Sequence, residues 1–276
     1  MDTNKKITHL SLCSGYEGIG LGLRSVLPNL REIAYVEKEG FPVANLVAKM
    51  EEGKLDAAPV FTDVKQFPYG KFRGCVDILS GGFPCQPFSA AGKRQATEDP
   101  RHLFPYIADG IRECQPRIVF LENVEGILSC TTGDGEPVLK YVLRTLGEMG
   151  YRATAGIFSA EECGAPHRRK RVYILADADS IGVGGPRLQL GIPSTAGQGR
   201  PYIAEDRNDC QGRWPARRGK QHKWEEPRTE PQLGRAADGS ASGLDSSKNR
   251  TDRLRLLGNG VVPQTAALAF ATLYNR

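Results

Sequence analysis

Apolar runs of strand length alternate with stretches of helical periodicity from residue 7 to about residue 176. The apolar runs predict buried strands at 9–13, 32–37, 60–64, 76–79, 118–121 and 171–176. Helical patterns stand between them at 19–27, 42–50 and 136–149. Because strands that alternate with helices are joined by crossover connections, this order predicts an α/β fold: a mostly parallel, doubly wound sheet with helices on both faces.

The amino-acid composition of the chain changes after residue 176. Residues 177–252 are rich in Gly, Pro, Arg, Asp and Ser and show no sustained period, which is typical of a linker. Tyr202, Trp214 and Trp224 argue against a simple linker, and an apolar helical pattern returns at 254–274. We therefore predict a first domain at 1–176, a small irregular inserted domain at 177–252, and a segment at 253–276 that packs back on the first domain.

Composition narrows the class of protein. The chain has 39% hydrophobic and 25% charged residues, as soluble globular proteins do, and its net charge of +5 weakly favours a polyanionic partner. Its 7 cysteines are scattered without a C-x-x-C pair, so neither a disulfide framework nor a cysteine-rich zinc site is indicated, and we expect no metal. The apolar run near the N-terminus is too short for a signal peptide or a membrane span, which predicts a cytoplasmic protein without a membrane segment.

A glycine-rich turn at residues 13–22 follows the first predicted strand. Glycines there permit a tight turn and a close approach of the backbone to a ligand at a helix N-terminus. Glu37 ends the second strand about 20 residues later, where nucleotide-type cofactors have their ribose hydroxyls bound. The combination favours a nucleoside-bearing cofactor over a plain turn. Asp63, at the end of the third strand, suits either an adenine amino group or an exposed turn.

Cys85 lies between Pro84 and Pro87, directly after the strand predicted at 76–79. Open α/β sheets bind ligands at the carboxyl ends of their strands, and the flanking prolines stiffen the loop. These local features leave a nucleophile and a buried bystander equally open.

Two further motifs are predicted at the same edge. Glu122 ends the strand at 118–121 and is either a general acid or a helix cap. A basic run at 167–171 precedes the last strand. Alternation along an extended segment predicts that Arg169 and Arg171 point to one side and Arg168 and Lys170 to the other, so that one pair faces a pocket while the other meets phosphate or water.

Together these residues resemble the DNA cytosine-5 methyltransferases, and the shortness of the insert resembles phage or prophage members. The matching motifs appear in the family's order: the glycine-rich turn, Glu37, Asp63, Pro84-Cys85-Gln86, Glu122-Asn123-Val124, Arg169-Lys170-Arg171 and Leu257-Gly258-Asn259-Gly260-Val261. The resemblance implies a Rossmann-like fold that uses S-adenosyl-L-methionine.

The resemblance also implies a mechanism. The Cys85 thiolate adds to C6 of a flipped-out cytosine, Glu122 stabilises the adduct at N3, and Arg171 with Arg169 holds O2 or a nearby phosphate. The implied cofactor-binding residues are Ser14, Gly15, Tyr16, Gly18, Ile19, Gly20, Glu37, Lys38, Asp63, Val64, Pro84, Asn259 and Val261.

Double-stranded DNA is the implied partner, and residues 177–252 take the place of the target-recognition domain. The implied DNA contacts are Gln86, Ser89, Arg213, Arg217, Arg218, Lys220 and Lys223. We expect a monomer without an obligatory protein partner, in a bacterial or phage-infected cell. A restriction-modification role beside a cognate endonuclease and an orphan or phage role both stay open.

The sequence departs from the family in two places and leaves two alternatives. Cys13 stands where relatives carry a phenylalanine that stacks on adenine, which bears on cofactor affinity, and His167 stands where they carry glutamine. A tRNA cytosine-5 methyltransferase on the same scaffold and a catalytically silent DNA-binding homologue remain open. The chain has no Pro-Pro dipeptide, which argues against an amino-methyltransferase. A dehydrogenase would explain the glycine-rich turn and Glu37 but would give Cys85 and Glu122 no role.

Overall fold

A computed structural model of the chain describes residues 6–84, 103–178, 188 and 250–276. Within these residues seven strands form a single sheet in the order β3-β2-β1-β4-β5-β7-β6. The strands are β1 Ile7–Leu12, β2 Leu30–Val36, β3 Val60–Phe61, β4 Ile78–Gly82, β5 Ile118–Val124, β6 Arg152–Ser159 and β7 Lys170–Asp177. The helices in the same residues are α1 Gly18–Val26, α2 Gly40–Glu51, α3 Phe104–Cys114, α4 Val138–Glu148, α5 Arg250–Asn259 and α6 Pro263–Tyr274.

The first five strands run parallel, as the alternation of strands and helices predicted. The chain moves outwards from β1 to β2 and β3, and then returns to place β4 on the other side of β1. Such a reversal of strand order opens a crevice at the carboxyl ends of the two central strands, and ligands bind there in open α/β sheets. The glycine-rich turn after β1 and the chain that leaves β4 therefore meet at one edge.

Strand β7 is antiparallel to both of its neighbours, β5 and β6. The sequence predicted a mostly parallel sheet and did not indicate which strand runs in the opposite direction. The connection from β6 to β7 holds one short 3₁₀ turn, Ala160–Cys163, which is too little chain for a parallel crossover. Strand β6 was not predicted, because its small residues are mostly half-buried at the sheet edge and lack a strong apolar pattern. The reversal brings the start of β7 beside the end of β5.

Two apolar layers cover the sheet. Helices α3 and α4 pack on one face through side chains such as Ile107 and Val142, while α1 and α6 pack on the other through Leu23 and Phe270. All four side chains are fully buried, which contributes about 1.5–3 kcal/mol each relative to exposure. Helix α6 thus packs against elements formed by residues 7–178.

The stretch Thr251–Tyr274 is long and apolar enough to span a membrane by length and composition alone. In the structure, 56% of its most apolar window is buried. Helix α6 makes close contact with α1, where a Cβ on Gly22 would lie 2.4 Å from the carbonyl oxygen of Pro263. The core of the domain thus accounts for much of the apolar surface of this stretch.

Candidate active site at the carboxyl edge of the sheet

The turn between β1 and α1 wraps its backbone around the end of β2. Cys13, Gly15 and Glu17 all have positive φ angles, of 50°, 56° and 68°. A Cβ on Gly15 would meet nothing within 4 Å, so glycine is favoured there by its backbone conformation and not by crowding. The turn therefore presents open space on its outer side, next to the carboxyl end of the sheet.

Glu37 follows β2 and is fixed by this turn. Its carboxylate accepts hydrogen bonds from the backbone N–H groups of Gly15 and Glu39, each at 2.8 Å. The side chain is nearly buried, with the residue 8% exposed. The glycine-rich turn and the acidic residue that the sequence paired by spacing are thus bonded directly to each other.

An open pocket lies over the turn, with about 640 Å³ of space when the solvent at its mouth is counted. Eight of the predicted cofactor-binding residues line it: Ser14, Gly15, Tyr16, Gly18, Ile19, Glu37, Asn259 and Val261. The other five lie outside the lining: Gly20, Lys38, Asp63, Val64 and Pro84. The lining is completed by residues that were not among the predicted contacts, although Cys13 was expected to bear on cofactor affinity: Ser11, Leu12, Cys13, Glu39, Pro42, Gly82, Leu256 and Gly260. Extending each run of predicted contacts by two residues would have found five of them, namely Leu12, Cys13, Glu39, Gly82 and Gly260.

The loop between α5 and α6 is fastened to the glycine-rich turn. The Tyr16 hydroxyl donates to the carbonyl oxygen of Val261. A Cβ on Gly260 would lie 1.9 Å from Tyr16 Cε1, and a Cβ on Gly18 would lie 2.3 Å from the Val261 carbonyl oxygen. Glycine is required at both positions by this close approach, and the two motifs form one wall of the pocket.

Glu122 lies at the end of β5, opposite Gly82 of β4. Its residue is 7% exposed, and its Oε1 is 3.0 Å from the Nε of Arg171. Burial raises the pKa of the Glu122 carboxyl to about 7, although the guanidinium groups of Arg171 and Arg169 act in the opposite direction. A carboxyl with a pKa near neutrality beside a ligand pocket is suited to general acid chemistry.

The chain that leaves β4 is anchored beside this carboxyl. Asn123 donates from Nδ2 to the carbonyl oxygen of Phe83 at 2.9 Å. A Cβ on Gly82 would lie 3.1 Å from Glu122 Oε2, so the glycine allows the carboxylate to approach the strand. These contacts hold the backbone two residues before the predicted nucleophile.

The basic run divides between two sides, as alternation of an extended segment predicts. Arg171 contacts Glu122, and Arg169 donates to the carbonyl oxygens of Gly258, at 2.9 Å, and Gly260. Arg168 and Lys170 instead face exposed carboxylates outside the pocket, those of Glu161 at 3.6 Å and Glu125 at 3.8 Å. The first pair thus connects β7 with β5 and with the loop that closes the pocket.

Cys85 lies outside the described residues, as do the predicted DNA contacts Gln86, Ser89, Arg213, Arg217, Arg218, Lys220 and Lys223. Among the cysteines that the structure does describe, burial raises the pKa of Cys13 and Cys114 to about 12 and that of Cys163 to about 11. A thiol with so high a pKa is a poor nucleophile at neutral pH, so these three are unsuited to the role predicted for Cys85.

Comparison with known proteins identifies the family. The model of the C-5 cytosine-specific DNA methylases matches residues 7–184, and the chain belongs to this family. It is 37% identical over 183 residues to the type II methyltransferase M.HpaII of Haemophilus parainfluenzae, covering 65% of this chain and 48% of the relative. It is 32% identical over 181 residues to M.HhaI of Haemophilus parahaemolyticus, covering 65% and 53%. The matching part thus spans about half the length of these relatives.

Solved structures show the same fold. The S. pombe Dnmt2 methyltransferase aligns with a TM-score of 0.64 at 17% identity, over 98% of this chain and 99% of that one. A putative DNA modification methyltransferase from an E. coli prophage aligns with a TM-score of 0.51 at 21% identity, over 64% and 48%. The predicted Rossmann-like methyltransferase fold is therefore confirmed.

Proposed function

We propose that this protein transfers a methyl group from S-adenosyl-L-methionine to C5 of cytosine in duplex DNA, through a covalent bond between Cys85 and C6. The observation that carries this proposal is the pair formed by the buried Glu122 and the partly buried Arg171. It lies at the edge where Gly82 and Pro84 lead the chain directly into Cys85. An acid, a cation and a cysteine at one sheet edge, next to a cofactor pocket, suit addition to a cytosine ring.

The pocket fits the proposed cofactor. Glu37 holds a carboxylate at the rim, where it can accept hydrogen bonds from two ribose hydroxyls. The open space above Gly15 admits the nucleoside. The pocket lining continues to Gly82, which pairs with Glu122 between β4 and β5. When bound there, S-adenosyl-L-methionine supplies an electrophilic methyl group. The chain's own residues then have to make C5 of the base nucleophilic.

The proposed reaction balances without another reactant. The sulfur of the Cys85 thiolate forms a bond to C6, and the electron pair of the C5–C6 double bond makes C5 nucleophilic. Glu122, in its protonated form, donates to N3 and so neutralises the charge that develops on the ring. Arg171 holds the ring oxygen O2 and the Glu122 carboxyl together. Methyl transfer would leave S-adenosyl-L-homocysteine as the second product. Loss of the C5 proton to a base, release of the thiolate and return of the N3 proton to Glu122 then restore the aromatic ring and the free enzyme.

Substrate binding is assigned to the inserted region at 177–252, which we propose as the target-recognition domain, with 1–176 and 253–276 forming the catalytic domain. Its basic side chains would neutralise phosphates and contact base edges, while the target cytosine is turned out of the helix at a cost of a few kcal/mol. These residues are Arg213, Arg217, Arg218, Lys220 and Lys223, with Gln86 and Ser89 beside the nucleophile. We propose a cytoplasmic monomer that serves either beside a cognate restriction endonuclease or alone.

The test is bisulfite sequencing of DNA from cells that express the wild type or Cys85→Ala, with nucleoside mass spectrometry to identify 5-methylcytosine. Cys75→Ala is the matched control, because Cys75 is an exposed thiol away from the pocket lining. We expect protected cytosines in one recurring sequence with the wild type and the control, and none with Cys85→Ala. Methylation that survives in Cys85→Ala would overturn the assigned nucleophile.

Two further outcomes separate the alternatives. If purified protein labels tRNA but no DNA, the substrate is RNA and the proposed DNA specificity is wrong. If a duplex with 5-fluorocytosine is bound but forms no covalent adduct in the presence of the cofactor, the protein is a silent binder. An active enzyme is trapped on this duplex, because fluorine at C5 prevents the final elimination.

A further inference from the structure

Three buried side chains converge beneath the glycine-rich turn. They are His9 of β1, Glu17 at the start of α1 and Glu32 of β2, and each is at most 1% exposed. His9 Nδ1 lies 3.9 Å from Glu17 Oε1 and 3.7 Å from Glu32 Oε1, and all three atoms lie within 4.8 Å of one another. None of these three atoms has a hydrogen-bond partner among the described residues.

The opposite end of each side chain is already anchored. His9 Nε2 is 2.8 Å from Ser80 Oγ, Ser11 Oγ donates to Glu17 Oε2 at 2.7 Å, and the Arg24 guanidinium donates to Glu32 Oε2. With Nε2 donating to Ser80, Nδ1 of His9 presents its lone pair to the two carboxylates. Ligands of metal ions are oriented in this way, with the second polar atom held by an outer partner.

The charges at this position are unbalanced. Glu32 and the partly exposed Asp56 share the guanidinium of Arg24, which lies 2.9 Å from Asp56 Oδ2, whereas Glu17 accepts from the Ser11 hydroxyl. With a neutral His9, an ionised Glu17 has no cation beside it among the described residues, and an unpaired buried ion costs several kcal/mol. A divalent cation would supply the missing positive charge.

The distances distinguish a cation from a shared proton. A proton on Glu17 or His9 needs an acceptor within about 2.5–3.2 Å, and separations of 3.7 and 3.9 Å exceed that limit. Two ligand atoms of a tetrahedral zinc ion, each about 2.1 Å from it, lie about 3.4 Å apart. The observed separations of 3.7 and 3.9 Å are closer to this spacing than to the usual length of a hydrogen bond.

We propose that His9, Glu17 and Glu32 form a structural site for a divalent metal ion of the zinc class. One imidazole nitrogen and two carboxylate oxygens suit such an ion. The backbone of α1 closes the site, since a Cβ on Gly20 would lie 2.1 Å from Glu17 Oε1 and 3.0 Å from Glu32 Oε1. The ion would join β1, β2 and α1 beneath the turn that carries Gly15. This site is independent of methyl transfer, so its test does not depend on activity.

Metal content of the full chain is the first test. The protein is purified without chelator and analysed by inductively coupled plasma mass spectrometry, beside Glu17→Gln and the control Glu52→Gln. Glu52 is a half-exposed carboxylate paired with Lys49 and Lys54. We expect about one divalent ion per chain in the wild type and the control, and at least a tenfold loss in Glu17→Gln. Equal content in all three would assign the metal to another place and overturn the proposal.

Refolding supplies the second test, since a closed site fills as the chain folds. Wild-type protein refolded with Zn²⁺ should melt at a higher temperature than the same protein refolded with chelator, while Glu17→Gln and His9→Asn should show no difference. Co²⁺ bound there should lack the intense thiolate charge-transfer band that cysteine ligation produces. The proposal would be overturned if the wild type contained no metal and had the same Tm under both conditions. It would also be overturned if the Glu17→Gln variant melted at a higher temperature than the wild type. If the variants cannot fold, the metal content of the wild type and its Tm with and without Zn²⁺ still decide whether the proposal holds.

Discussion

Arg171 places its Nε 3.0 Å from Oε1 of Glu122, where β5 ends and β7 begins. Two opposing influences act on this carboxyl: burial favours the neutral form, and the guanidinium favours the ionised one. Burial prevails, and the pKa of Glu122 is raised to about 7. The carboxyl therefore holds a proton in a large fraction of molecules near neutral pH, as a general acid must.

This pKa predicts the pH dependence of the chemical step. Because the raised pKa makes Glu122 the proton carrier below about pH 7, its contribution should fall about tenfold per unit above that value. Glu122→Gln keeps the size of the side chain but cannot transfer a proton. We expect a rate about 10²–10⁴-fold lower in this variant, without the decline above pH 7. Single-turnover methyl transfer between pH 5.5 and 9 measures both effects, and an unchanged alkaline decline in the variant would assign it to another group.

Glu37→Ala should weaken cofactor binding without affecting the thiol. The substitution removes the predicted ribose contact and leaves the N–H groups of Gly15 and Glu39 without their acceptor. Loss of hydrogen bonds to a charged group costs about 1.5–3 kcal/mol each, so the Kd of S-adenosylhomocysteine should rise at least tenfold by calorimetry. Arg255→Ala is the control, because Arg255 forms an exposed ion pair with Glu39 at the rim. An equal effect of both changes would contradict a special role for Glu37.

Gly260→Ala should destabilise the fold through Tyr16. The added Cβ would lie 1.9 Å from Tyr16 Cε1, and overpacking of this kind costs about 1–3 kcal/mol. Differential scanning calorimetry should show a lower Tm for Gly260→Ala. The double variant with Tyr16→Ala should recover part of that loss, because the clashing ring is gone. If the two changes add without any recovery, the contact is not the cause.

Arg169→Ala should weaken cofactor binding more than it lowers the rate of methyl transfer to the base. Its guanidinium donates to the carbonyl oxygens of Gly258 and Gly260 and so holds the loop that closes the pocket. We expect at least a tenfold weaker binding of S-adenosylhomocysteine, whereas Arg171→Ala should mainly lower the rate of methyl transfer. Arg168→Ala serves as the control, since its side chain is 84% exposed and 3.6 Å from Glu161. Identical kinetic profiles for the first two variants would contradict this division.

Much of the architecture was predictable, because it rests on local patterns. Apolar runs located β1, β2, β4, β5 and β7, and the sequence placed the glycine-rich turn and Glu37 at one ligand site, where the structure joins them by a hydrogen bond. The sequence did not reveal the direction of β7, since the same residues form a strand in either orientation. Only the short connection after β6 excludes the parallel arrangement.

The convergence of distant residues was not predictable. His9, Glu17 and Glu32 belong to three elements and match no metal motif, so their meeting depends on the register of β1 against β2 and on the start of α1. The bond from Arg169 to the loop before α6 likewise depends on the fold as a whole. Periodicity reports which face of an element is buried, but not which neighbour it meets.

The antiparallel course of β7 determines where the inserted region is attached. Asp177, at the end of β7, pairs with Ile118 at the start of β5, whereas Leu256 of α5 lines the pocket at the other edge. The two elements that flank the region at 177–252 thus lie at opposite edges of the sheet. Under the function proposed above, a target-recognition domain joined in this way could be exchanged as a module, and a new recognition sequence could be acquired while Glu122 and Arg171 keep their positions.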